Sequence, residues 1–95
     1  MAPQPRSTPG SDIEERWRKR LADARRRHDH SVEAFRDAAE VYRAQEIPFP
    51  DGGLRLHKAL MAESAARREY IRVLRLFTDL ILYGQIPKDD LPGQP

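Results

Sequence analysis

From Asp12 to Ile47 the chain runs without a glycine or a proline. Along that stretch bulky or apolar residues recur at steps of three and four: Ile13, Trp17, Leu21, Ala24, His28, Val32, Phe35, Ala39 and Tyr42. Only an α-helix brings positions with that spacing to one side, so the pattern predicts one long amphipathic helix. Ser11 marks its start. The order Ser-Asp-Ile-Glu is that of a capping box, in which the Ser11 hydroxyl and the Glu14 carboxylate each accept from the other's backbone amide. Asp12, Glu14 and Glu15 also suit the positive end of the helix. The first helix is therefore expected over about residues 11–45.

The segment Ile47-Pro-Phe-Pro-Asp-Gly-Gly53 breaks it. Pro48 and Pro50 disfavour helix in the residues before them, and Asp51 is placed to cap a second helix. A loop over residues 46–53 and a second helix over about 54–83 follow, with Gly84 suited to a left-handed stop and Pro87 beyond it. Connections this short join antiparallel neighbours. The fold class is thus all-α: residues 11–87 form an antiparallel two-helix hairpin. Residues 1–10, with three prolines and no apolar period, are expected to be a disordered tail, and residues 88–95 a loose C-terminal one.

The second helix carries more apolar bulk than one neighbour can cover. Folding the hairpin about residue 49 or 50 sets Leu56, Leu60, Arg67, Tyr70 or Ile71, Leu74, Phe77 or Thr78, and Ile81 towards the first helix. Val73, Leu76, Leu80 and Tyr83 then form a second row on a neighbouring face, free to bind something else. A second copy of the hairpin would complete a four-helix bundle, so homodimerisation or a higher homo-oligomer through this row is expected. A foreign protein on the same row is the alternative occupant.

Charge is unevenly spread, although the whole chain carries only +2. Arg16, Arg18, Lys19, Arg20, Arg25, Arg26 and Arg27 face a single acid, Asp23, for a local net of +6. From His28 to Asp51, six acids against Arg36 and Arg43 give −4. The hairpin reads as a dipolar rod, basic at its termini and acidic at its loop. Arg16, Arg18, Arg20, Arg25, Arg26, Arg27, Arg72 and Arg75 could meet a phosphate backbone, which makes a nucleic-acid-binding hairpin dimer the second functional reading. Against it, these residues circle the helix instead of forming a stripe.

Catalytic signatures are missing. There is no cysteine, no glycine-rich phosphate loop and no Glu-x-x-His of the di-iron bundles. His28 and His30 point to opposite sides of a helix, and His57 belongs to the other end of the rod, so no metal site is expected within one hairpin. The apolar run Ile71–Tyr83 is too short to span a bilayer and contains Arg72, Arg75 and Asp79. Cysteine absence and the lack of an apolar leader after Met1 fit a cytoplasmic location. The reading is a non-enzymatic, cofactor-free interaction or scaffold protein that self-associates through its second helix.

Overall fold

The computed structural model describes residues 9–46, 48 and 50–90 of the chain. Two helices, α1 (Pro9–Ala44) and α2 (Asp51–Tyr83), are followed by a single 3-10 turn, Lys88–Asp90, and the described residues contain no strand. The helices lie antiparallel: Trp17 shares a core with Leu80 and Val73, and His28 meets Glu63 and Tyr70 further along. The body is slender, 68 × 33 × 21 Å.

Both helices begin earlier than the sequence expectation. α1 begins at Pro9, two residues before Ser11, so the expected cap residue falls inside the first turn. Proline suits that place because a first-turn amide has no helical acceptor to lose. Of the expected N-terminal tail, residues 1–8 lie outside the described residues. α2 begins at Asp51, three residues earlier than expected, with Pro50 and not Asp51 at the cap position and no side-chain cap bond. Asp51 instead puts a carboxylate in the first turn, favourable to the helix dipole. Gly52 is buried, and a Cβ at Gly53 would stand 3.8 Å from Tyr42 Cε1, so this first turn packs closely on α1.

Both helices stop at a left-handed residue. Gly84 is left-handed (φ 68°), with its amide donating to the Leu80 carbonyl at 3.0 Å and the Gln85 amide to that of Asp79 at 3.3 Å. This is the stop expected from its glycine. At the end of α1 a tighter pair runs from the Gln45 amide to the Tyr42 carbonyl and from the Glu46 amide to the Val41 carbonyl, each 3.1 Å, around Gln45 at φ 57°. A side chain in that conformation costs about 1 kcal/mol, which the two capped carbonyls offset.

The core is thin and sits towards the termini. Trp17, Ala24, Val73 and Leu80 form its buried centre, with Ile13, Leu21, Tyr70, Leu76 and Phe77 packed around them. Nearer the loop, Ala38 is the one buried apolar side chain among the described residues. On α2 the inward positions are Ala59, Glu63, Ala66, Tyr70, Val73, Phe77 and Leu80, spaced four and three alternately, and each is buried or half-buried. That is a coiled-coil-like seam.

The expected facing of α2 is therefore wrong by one residue. Val73 (1% exposed) and Leu80 (5%), read as the outward row, are the inward one, whereas Leu60, Ile71, Leu74 and Ile81 are 39–46% exposed. One residue is about 100° of rotation about the helix axis. The physical reason lies in one position of the competing stripe and two of the seam. Turning Leu60–Ile81 inward would bury the Arg67 guanidinium in a thin core, a costly exchange for a charge with 52% of its side chain exposed here. The seam one residue earlier carries Ala66 at that level and Ala59 nearer the loop, small enough for α1 to approach.

Trp17 is wholly buried, and the stability of the hairpin should depend on it. Trp17→Ala is expected to cost about 3–5 kcal/mol. Trp17→Phe, which keeps most of the packing but loses the indole N–H, should cost about 1 kcal/mol. Urea denaturation followed by circular dichroism measures both.

Candidate functional site

Two surfaces of the rod are candidates: the basic end and the uncovered face of α2. At the basic end Trp17 is the organising residue. Its indole Nε1–H donates to Asp90 Oδ2, and Asp90 also pairs with Arg16 at 3.5 Å. The neighbouring Asp89 lies 3.5 Å from Arg20 and 3.8 Å from Arg72. The guanidinium of Arg20 stacks over the Trp17 ring, 4.0 Å from its centroid, and that of Arg18 lies 5.8 Å from the Phe77 centroid. The first residues of the expected loose C-terminal tail are thus folded back as an acidic clasp on α1, anchored by the buried Pro87; residues 91–95 lie outside the described residues. A buried indole needs an acceptor, and a carboxylate also answers the arginines around it.

This clasp changes the reading of the eight arginines. Arg16, Arg18, Arg20, Arg26 and Arg72 each pair with a carboxylate of Asp90, Glu15, Asp89, Asp23 and Glu69 respectively. Among the described residues Arg25, Arg27 and Arg75 have no such pair. Arg18, Arg25 and Arg26 line a groove with Leu21, Ala22, Asp29 and Tyr70, whereas Arg20 and Arg27 line the opposite groove with Asp23 and Glu69. The basic residues therefore surround α1 and are interleaved with acids, an arrangement poorly matched to one phosphate track. The Arg72 hydrogen bonds hold the Glu69 carboxyl below its ordinary value; burial opposes this, and the charges of Arg72, Arg20 and Arg27 add to it. A carboxylate with a lowered folded-state value contributes above the ordinary glutamate range and loses that contribution as pH falls through the lowered one. Both side chains are over two-fifths exposed, so the contribution is small.

Midway along the rod a polar layer interrupts the core. His28 Nε2 lies 3.0 Å from Glu63 Oε2, its ring stacks on Tyr70 at 6.0 Å and 10°, and Arg67 approaches Glu63 at 3.4 Å. His28 and Glu63 are 21% and 14% exposed, so their mutual bond sets which residues of α1 and α2 lie opposite. No three His, Asp or Glu among the described residues gather around a common metal position.

The uncovered face of α2 is the seam shifted by one: Leu60, Ser64, Arg67, Ile71, Leu74, Thr78 and Ile81, again at steps of four and three. Only Ser64 is not exposed. Of the residues expected to mediate self-association, Val73 and Leu80 are inside the hairpin, Leu76 is half-buried beside them, and Tyr83 alone is open, at 71%. The sequence reading thus missed Leu60, Ile71, Leu74 and Ile81 as surface residues, and Asp89 and Asp90 as partners of the basic end. Arg67 in the middle of the first stripe was the available signal that it faces water. No helix among the described residues is long and apolar enough to cross a membrane.

The clasp can be read directly, because Trp17 is the protein's one tryptophan. Replacing Asp89 and Asp90 with Ala should shift its fluorescence to longer wavelength and lower the urea midpoint, while helicity stays near that of the parent chain. Unchanged emission would show that Pro87 and the α2 side chains shield the indole without the carboxylates.

No protein-family model, curated protein or solved structure matches this chain.

Proposed function

We propose that the chain is a non-enzymatic cytoplasmic interaction module that assembles with itself through the open face of α2, two hairpins making a four-helix bundle. The observation that supports this is the second heptad-spaced stripe. Leu60, Ile71, Leu74 and Ile81 stand 39–46% exposed along one line of the helix, flanked by the half-buried Leu56 and Tyr70. Apolar residues scattered over a surface need no explanation, but a row with coiled-coil spacing is what a partner helix is built to enter.

The magnitudes favour a reversible assembly. Burying the exposed half of each of the four side chains contributes about 1 kcal/mol, hence about 8 kcal/mol for a symmetric pair. Association costs about 4–15 kcal/mol in lost freedom, so the stripe alone lies near balance. Its flanks decide the outcome. The groove beside the stripe presents Arg18, Arg25 and Asp29 from α1, charges that stay at the wet rim of a bundle and discriminate among partners. The basic end, most of its arginines already answered within the chain, serves this reading as an electrostatic guide to docking.

Ile71→Glu combined with Leu74→Glu should leave the hairpin folded, since both side chains point to water in the single chain, and should reduce the mass in solution to that of one chain. Light scattering with circular dichroism on the variant and the parent separates this from unfolding. A variant mass equal to an oligomeric parent mass would place the contact elsewhere.

A further inference from the structure

We infer that the occupant of the α2 stripe is a second copy lying antiparallel, with the two-fold axis crossing α2 beside Ile71. This rests on the self-association reading above and adds an orientation to it. The stripe reads almost the same in both directions: Leu60, Ser64, Arg67, Ile71, then Leu74, Thr78, Ile81. Turned end over end about Ile71, an identical helix sets aliphatic Leu60 by the partner's Ile81, hydroxyl-bearing Ser64 by the partner's Thr78, and Ile71 by its own equivalent. The mismatch in character is Arg67 beside the partner's Leu74. That arginine is suited to it, because Glu63 of its own chain holds the guanidinium at 3.4 Å with the side chain half exposed. Its methylene stem can then cover a leucine while the charge stays at the rim.

The parallel alternative fails on charge. It sets Arg67 against Arg67 of the partner in the middle of the interface, where like charges cost most. It also lays the two Arg16–Arg27 segments, each with a local net of +6, side by side. With the axis beside Ile71, the antiparallel arrangement instead sets each Arg16–Arg20 cluster level with the partner's Val32–Arg36, where Glu33 answers it, and no longer with its own equivalent. Opposite charge then acts on encounter as well as in the complex, and an isologous contact closes on itself and limits growth.

The absence of cysteine makes the orientation measurable by thiol cross-linking of the whole chain. Leu60 and Ile81 are separated by about 31 Å of helix, far beyond the span of a short bis-thiol reagent. Leu60→Cys, Ile81→Cys and Ile71→Cys are made singly, each checked for parent helicity. Antiparallel pairing gives little covalent dimer from Leu60→Cys or Ile81→Cys alone and severalfold more from an equimolar mixture of the two. Ile71→Cys cross-links with itself. If Leu60→Cys alone yields as much dimer as the mixture, the copies are parallel, and the orientation is overturned while self-association stands. A monomeric mass for the unmodified chain overturns both. A dimeric mass with no cross-link from any of the three overturns the stripe as the contact.

Discussion

One helix of this hairpin carries two apolar seams a single residue apart, and the other helix can cover only one of them. The inner seam, from Ala59 to Leu80, is closed by Trp17, Ala24 and their neighbours. The outer one, from Leu60 to Ile81, is left in water. A third or fourth helix would cover it in a larger domain; the described residues form two, with few buried side chains. Small, elongated units of this kind gain a sufficient core by association.

Polar contacts decide which seam faces inward and hold the two helices in register. His28 and Glu63 bond across the middle of the hairpin, and Tyr70 stacks on the imidazole, so sliding either helix by a turn would leave half-buried polar atoms unanswered. At the terminal end Asp90 accepts from Trp17, and Asp89 draws Arg20 and Arg72 together across the two helices. The clasp thus closes the open end of the hairpin, opposite the loop, where the largest core side chain would otherwise lie under an unfinished edge. Every buried side-chain nitrogen and oxygen among the described residues has a partner.

Helix existence, antiparallel pairing and the left-handed stop at Gly84 were legible in the residues, because spacing, proline and glycine each act locally. The rotation of α2 was not. Both of its stripes have the three-and-four period, and Val73, Leu76 and Leu80 are as apolar as Ile71, Leu74 and Ile81, so hydropathy alone gives no preference. Arg67 against Ala66 carried the discriminating information, a single residue outweighing the pattern. The clasp was illegible for a different reason: Asp89 and Asp90 acquire their role only from tertiary closeness to Trp17, and two acids after a proline have no periodic signature. Gln45 is similar, since a left-handed glutamine is imposed by the two carbonyls that its amide and that of Glu46 cap, and not by its own preference. The candidate face shifted by one residue as a result, while the proposal that α2 has more apolar surface than α1 can hide carried over to the other stripe.

In the proposed assembly the folded hairpin gains stability from a second copy of itself. Thermal unfolding of the unmodified chain over about a hundredfold range of concentration tests this most directly, because a species that binds only the folded state raises the midpoint by mass action. A midpoint that climbs steadily with concentration is the expected result. A midpoint independent of concentration, with the mass of one chain throughout, would contradict it.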